Sequence, residues 1–505
     1  MEECLMNFTD SKQLQAFLDQ RERKLEDVSN EISKISYRRF VEKTSDPRLP
    51  GLEQQRAEMM LDPAFANLVE EWLPRVEEPV LRRRLENIRA QLQLARVASQ
   101  PKILELAREL NDLMVGYQYP LGGERVDITG VRQTVRANPD REQRKLAWHS
   151  YGELSEKMAP KLMELIELRN AEAAKLGYDT YADLILERSE LSLVESEGML
   201  ETLVTATNPV YLGVLEAGAA KLGLDKIEPW DVQFILESTS GVPDSLFPRD
   251  GILPAVRAWA DSMGLDIDKL GIHMITADIP YNGLCMALGR NDIRILGNPA
   301  DGYGYYKTSF HELGHALHGT MNKQEHLSLR REASVFNEAI AEVFGYVPGN
   351  ERWLKERGLD HNQVQLALEA ARGPQFHYLR QRTAYALFEY KLYRNTAINP
   401  DAVLGETEAW VLGCSANASP RWAANAWFLN FPVYWQNYVL ADVIASQIHH
   451  DLEARFGPLH HTREAVDFVL EQYIAPGALK PWRQKLEENT GKPLAVDALV
   501  ADING

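Results

Sequence analysis

Residues 10–43, DSKQLQAFLDQRERKLEDVSNEISKISYRRFVEK, place apolar side chains at three-and-four spacing with charges between them, and the pattern returns along most of the chain. A strand needs strict alternation, so this spacing selects helices with one apolar face. TSDPRLPG ends the first run, and further runs cover roughly 52–74, 78–97 and 101–115. The turn YPLGG then leads into a short strand-like piece, ERVDIT. NPDREQRKLAWHSYGELSEKMAPKLMELIELRNAEAAKLGY reads as another long helical region, with Asn138 or Asp140 as its cap and Gly177 as its stop. YDTYADLILERSELSLVESEGMLETLVTAT continues in the same style.

Around 226–252 the Pro, Gly and Ser content rises, which predicts loops. The main β signal is HMITADIPYNGLCMALGRNDIRILGN, where NGLCMAL and DIRILG read as two strands joined by the turn GRN. Helices return afterwards, without internal repeats or low-complexity tracts. The expected fold class is mostly α, with one small sheet beside the motif described next.

TSFHELGHALHG holds His311, Glu312 and His315 as H-E-x-x-H among good helix formers. Positions four apart share a helix face, so both imidazoles can reach one metal ion, and Glu312 projects beside them as a proton acceptor. Phe310, Leu313, Ala316 and Leu317 suit a buried helix, and Gly314 permits close packing. Catalytic zinc takes three protein ligands and a water, so a third ligand is required. REASVFNEAIAEVFGYV supplies Glu338, 23 residues after His315, with room for a loop and a returning helix. Glu342, one turn later, can hold a ligand imidazole by its second nitrogen. The expected cofactor is one Zn²⁺ per chain. His318 reads as a packing or hydrogen-bonding histidine, because a fourth protein ligand would close the water position. His326 reads as a solvated loop residue.

FHELGHALHG resembles the zinc helix of the thimet oligopeptidase and oligoendopeptidase families, and SLRREASVFNEAIAEVF resembles the angiotensin-converting enzyme (peptidyl-dipeptidase) family. LCMALGRNDIRIL is similar to the latter family's substrate-binding edge strand, which implies that Met286 and Ala287 border an extended peptide. FPVYWQNYVLADVIASQ resembles the segment supplying a catalytic tyrosine, with a glutamine nine residues on, as from Tyr438 to Gln447. Tyr438 is then an oxyanion donor, with Tyr434 and Trp435 as further substrate contacts. The strong likeness covers about 283–345 and 431–447, and LRNAEAAKLGYDTYADL shares the style of these families' N-terminal half. The likeness implies a two-lobed helical clamshell with a deep substrate channel. Residues 1–190 would form much of one lobe and the channel lid, and 191–505 the catalytic region.

The chain departs from the resemblance in three places. Met286 stands where the edge strand carries a histidine. A second histidine before the tyrosine is absent, leaving Asn425 or Asn430 as substitute donors. The lysine that grips a C-terminal carboxylate has no counterpart, since no Lys or Arg occurs between Arg421 and Arg455. The function expected is hydrolysis of short peptides or peptide-like substrates. The alternative is a biosynthetic or tailoring zinc enzyme of the same fold acting on a modified amide or non-peptide small molecule.

A chain of 505 residues, 45% hydrophobic and 25% charged, can bury the large core such a fold needs. Its net charge of −18 argues against nucleic acid or an anionic membrane as partner. Cys4, Cys285 and Cys414 have neither disulfide nor metal spacing and read as reduced thiols. No signal sequence or membrane-length apolar run is evident, so a cytoplasmic location is expected.

Overall fold

Asp10, in extended backbone, accepts the N–H of Gln13, and from that cap the first helix runs Ser11–Val41. The computed structural model describes residues 8–238, 243–279 and 281–505; Cys4 lies outside them. The chain is 71% helical with only small sheets, the mostly α fold the periodicity predicts. No helix among the described residues is long and apolar enough to cross a membrane. Cys285 and Cys414 are free thiols.

The chain divides into two compact units, each built from three stretches. The first comprises Met1–Arg96, Pro243–Trp353 and Ile444–Leu494. Its N-terminal helices meet through Leu14, Leu18, Phe65, Leu68, Val69 and Leu85, all buried. It also holds a three-stranded sheet. Two shorter strands, β1 (Tyr119–Leu121) and β2 (Glu124–Val126), belong to the second unit and pair antiparallel. The sheet of the first unit is β3 (Ile272–Thr276), β4 (Gly283–Gly289) and β5 (Asp292–Gly297), in the order β3-β5-β4. β4 and β5 are the two expected strands, antiparallel with Cys285 opposite Ile295. The sequence reading omitted β3, which joins in parallel, placing Ile272 opposite Ile293. β4 is left as an edge strand.

The second unit comprises Val97–Val242, Leu354–Val443 and Ala495–Gly505. Gly122 and Gly123 turn the β1–β2 hairpin at positive φ, so YPLGG is strand as well as turn. ERVDIT contributes only its first three residues to β2, because Asp127 caps a helix over Ile128–Ala137 by accepting from Gly130. The next helical region starts at Asp140, which accepts from Glu142, and breaks between helices Arg141–His149 and Gly152–Ala174. Gly177 leaves it at φ 90°.

The loops expected over 226–252 are corrected in part. A helix spans Pro229–Ser238, and short 3₁₀ turns occupy Asp244–Leu246 and Arg249–Gly251. Pro229 is pre-organised for the first helical turn, and Val232, Ile235 and Leu236 bury the apolar face. Asp231 anchors that turn: fully buried, it takes Arg141 at 2.7 Å and Arg144 at 2.9 Å.

Candidate metal centre

The H-E-x-x-H segment lies inside a helix over Tyr303–Met321. Phe310, Leu313, Ala316 and Leu317 are fully buried, and Trp259 and Trp353 meet Phe310 edge-on at 5.6 and 5.7 Å between centroids. Phe310, Leu313 and Leu317 each contribute about 1.5–3 kcal/mol by leaving water, so the helix is fixed in rotation. That rotation turns His311 and His315 to one side, with ring centroids 4.8 Å apart and planes perpendicular.

Glu338 and Glu342 arrive on a second helix, Ser334–Gly345, buried along almost its whole length. The two helices approach at Gly314. A Cβ there would stand 2.7 Å from the Ala341 Cα and 3.0 Å from its carbonyl oxygen, so no larger residue fits without separation. The expected close packing at Gly314 is therefore present.

The approach brings one carboxylate between two imidazoles. Glu338 Oε2 lies 3.5 Å from His311 Nε2 and 3.8 Å from His315 Nε2, and the three ligand atoms all fall within 4.8 Å of one another. Donors about 2.0–2.2 Å from a tetrahedral ion stand roughly 3.4 Å apart. Two nitrogens and one carboxylate oxygen at these separations fit zinc, leaving a fourth position for water.

His311 Nδ1 donates to Glu342 Oε2 at 3.0 Å, which leaves Nε2 as the ligand atom. The other Glu342 oxygen takes Lys307 Nζ at 2.5 Å. Burial opposes the Glu342 charge, but Lys307 and His311 outweigh it and hold its pKa well below the usual carboxylate range. Burial likewise opposes a charged His311, yet Glu338 and Glu342 raise its pKa to about 10. Burial and the His311 charge lower His315 to about 4.

His318 is a hydrogen-bonding histidine, as expected. Its Nδ1 lies 2.7 Å from Asn337 Oδ1 and its Nε2 3.3 Å from Glu332 Oε1. Glu332 in turn takes Lys485 Nζ at 2.8 and 2.7 Å, so the helix carrying His315 is braced by a buried, paired network. His326 corrects the solvated reading: it is half-buried, with Nδ1 3.4 Å from Asp19.

Glu312 faces the sheet. Gly283, the first residue of β4, passes so close that an added Cβ would stand 2.8 Å from Glu312 Cγ and 2.7 Å from Thr308 Cγ2. Burial raises the Glu312 pKa to about 7; His311 and the backbone N–H of Cys285 work the other way. Alternation along β4 puts Met286 on the opposite face, against an apolar cluster with Tyr37, Phe40, Leu284 and Leu296. Ala287 is exposed on the edge strand.

Tyr434, Trp435 and Tyr438 lie in the second unit, at the start of a helix over Trp435–Phe456. They form an aromatic cluster with Trp427, whose ring centroid is 4.8 Å from Trp435, 6.0 Å from Tyr434 and 5.9 Å from Tyr438. Neither asparagine offered as a substitute donor is idle. Asn425 caps its own helix by accepting from Trp427, and Asn430 exchanges hydrogen bonds with Asn111 at 3.0 Å. Sequence reasoning missed Lys307, Asn337 and Gly283. Lys307 stands one turn before His311 and Asn337 directly before Glu338, positions that the motif spacing marks for support.

Comparison with known families bears on a different stretch of the chain. Residues 134–242 match the model of Peptidase family M3. Peptidase family M3 is a metallopeptidase, and so a hydrolase, family. The matched stretch includes LRNAEAAKLGYDTYADL and lies wholly upstream of the H-E-x-x-H segment, so this likeness to a metallopeptidase family is independent of the donor geometry. No curated protein matches the chain.

Proposed function

We propose that this chain is a zinc-dependent metallopeptidase hydrolysing short peptides, of the oligopeptidase or peptidyl-dipeptidase type. The observation carrying the reading is the triangle of His311, His315 and Glu338 donors within 4.8 Å, with Glu312 next to the first of them. When bound, zinc acidifies a water and polarises the carbonyl it faces. Glu312 would take a proton from the attacking water and return it to the leaving amine. Its burial and its place beneath Gly283 hold the carboxylate in one position.

β4 is an edge strand, so a peptide can lie along Met286 and Ala287 as an added strand. In this reading Met286 contributes main chain, its side chain being engaged in the apolar cluster. Tyr438 steadies the oxyanion through its phenol, a role supported by the likeness of its segment to peptidase families.

A quenched-peptide library tests the reading. Cleavage should stop with a chelator and return with zinc, and Glu312→Gln should retain zinc while losing activity. Zinc-loaded wild-type protein that cleaves no peptide would sink the proposal. Zinc bound normally by a His311→Ala/His315→Ala protein would sink the site.

A further inference from the structure

Lys485 stands on the helix Trp482–Thr490, within the first unit, and is only 1% exposed. Its Nζ donates to both oxygens of Glu332, at 2.8 and 2.7 Å, and to the Tyr473 and Gly477 carbonyls at 2.8 and 3.2 Å. It also lies 4.2 Å from the centroid of the Phe336 ring, two residues before Glu338. Glu332 Oε1 lies 3.3 Å from His318 Nε2, and His318 Nδ1 lies 2.7 Å from Asn337 Oδ1. Asn337 directly precedes Glu338. Its side chain also interacts with His315, whose buried Nδ1 reaches no acceptor in full hydrogen-bond geometry. The two imidazoles of the H-E-x-x-H segment therefore differ: His311 has Glu342 at its second nitrogen, and His315 has an amide held by His318.

We infer that Lys485 is a remote positioning residue of the metal centre, acting through Glu332, His318 and Asn337 to orient His315. The inference rests on the zinc reading above. An imidazole that binds metal through Nε2 donates its Nδ1–H to an acceptor, and that bond fixes the ring plane and raises the ligand's basicity. A carbonyl oxygen has two lone pairs, so Asn337 Oδ1 can take His318 and His315 together. Rotated by half a turn, the same amide would present its NH₂ group to the His315 N–H and repel it. His318 selects the oxygen-first orientation, and His318 is itself held by a carboxylate that Lys485 clamps at both oxygens. A buried ion pair is seldom more stable than apolar side chains of the same size, because desolvation offsets the attraction. Orientation of the ligand set is what this pair adds.

Zinc affinity of the full-length protein is measured by chelator competition, alongside a urea melt of the zinc-free form and the visible spectrum of the cobalt-loaded form. Lys485→Met should lower zinc affinity about tenfold. It should also shift the cobalt bands, which report ligand geometry and do not follow global stability. Asn337→Leu, which removes the acceptor itself, should cost about 10–100-fold. In the Asn337→Leu background, Lys485→Met should cost nothing further, because the two act in series. Lys485→Met/Glu332→Leu puts an apolar pair in place of the ion pair, serves if the single variant unfolds, and should show the same loss. Wild-type zinc affinity and cobalt spectrum in these variants, or a fully additive loss in Lys485→Met/Asn337→Leu, overturns the inference. Zinc binding by wild-type protein that is indifferent to His311→Ala/His315→Ala refutes the metal reading instead.

Discussion

Gly314→Ala isolates the contact that sets the spacing of His311, His315 and Glu338. The added Cβ would lie 2.7 Å from the Ala341 Cα, whereas ordinary contact begins at 3.4 Å, so the two helices must separate by about 0.7 Å (3.4 − 2.7). The obstacle is backbone, which cannot rotate away. Glu338 rides on the helix that moves, three residues before Ala341, while His311 and His315 stay with the other. Zinc tolerates ligand distances within about 0.2 Å of their ordinary values, so a 0.7 Å displacement exceeds what the site absorbs without further strain.

Two energies oppose each other in this variant. Ala is favoured over Gly in a helix by about 1 kcal/mol, and overpacking a core costs about 1–3 kcal/mol. The fold should therefore lose about 0–2 kcal/mol and survive. Zinc affinity should fall about 10–100-fold, the size of effect seen when ligand support is disturbed. Competition with a chromophoric chelator measures the affinity, and a urea melt of the zinc-free protein measures the fold. Gly304→Ala is the control, because an added Cβ there meets nothing within 4 Å on the same helix. Wild-type zinc affinity in Gly314→Ala would refute the argument that this contact positions Glu338.

Other substitutions probe separate parts of the structure. Lys307→Met leaves Glu342 buried without its nearest cation; zinc affinity should fall about tenfold by the same titration, with peptide KM unchanged. Tyr438→Phe should lower kcat about 10²–10³-fold with little change in KM, and an unchanged kcat in steady-state assays would remove the oxyanion role. Glu389, buried and accepting the Val433 N–H at 2.9 Å, has its pKa raised by burial to about 8 from 4.5. A carboxyl that holds its proton more tightly when folded gives stability present below pH 4.5 and lost as pH rises towards 8. Glu389→Gln should therefore melt increasingly above wild type between pH 5 and 8 relative to its offset at low pH; an offset independent of pH would refute the burial argument.

That His311, His315 and Glu338 come together was legible because its information is local. His311 and His315 share a face by helical spacing alone, and Glu338 and Glu342 share one on the next helix. What spacing cannot supply is the partner reached through folding. Asp231 is held by Arg144 across 87 residues, and that pairing anchors a helix in a segment whose Pro, Gly and Ser content reads as loop. β3 escaped notice because parallel pairing has no hairpin turn to announce it.

Met286 shows how one residue's direction changes a functional reading. A side chain in the place of a substrate-contacting histidine invites the view that recognition chemistry has been lost there. Period-two alternation instead puts Met286 with Tyr37 and Phe40, and leaves Cys285 on the face towards Glu312. A polar imidazole at 286 would have to be accommodated in an apolar cluster, at a cost of about 1–3 kcal/mol if it found no partner. Methionine at this position follows from packing against the first helix. In the proposed reading the edge strand would still offer its backbone to a peptide, because main-chain donors and acceptors do not depend on which side chain stands at 286.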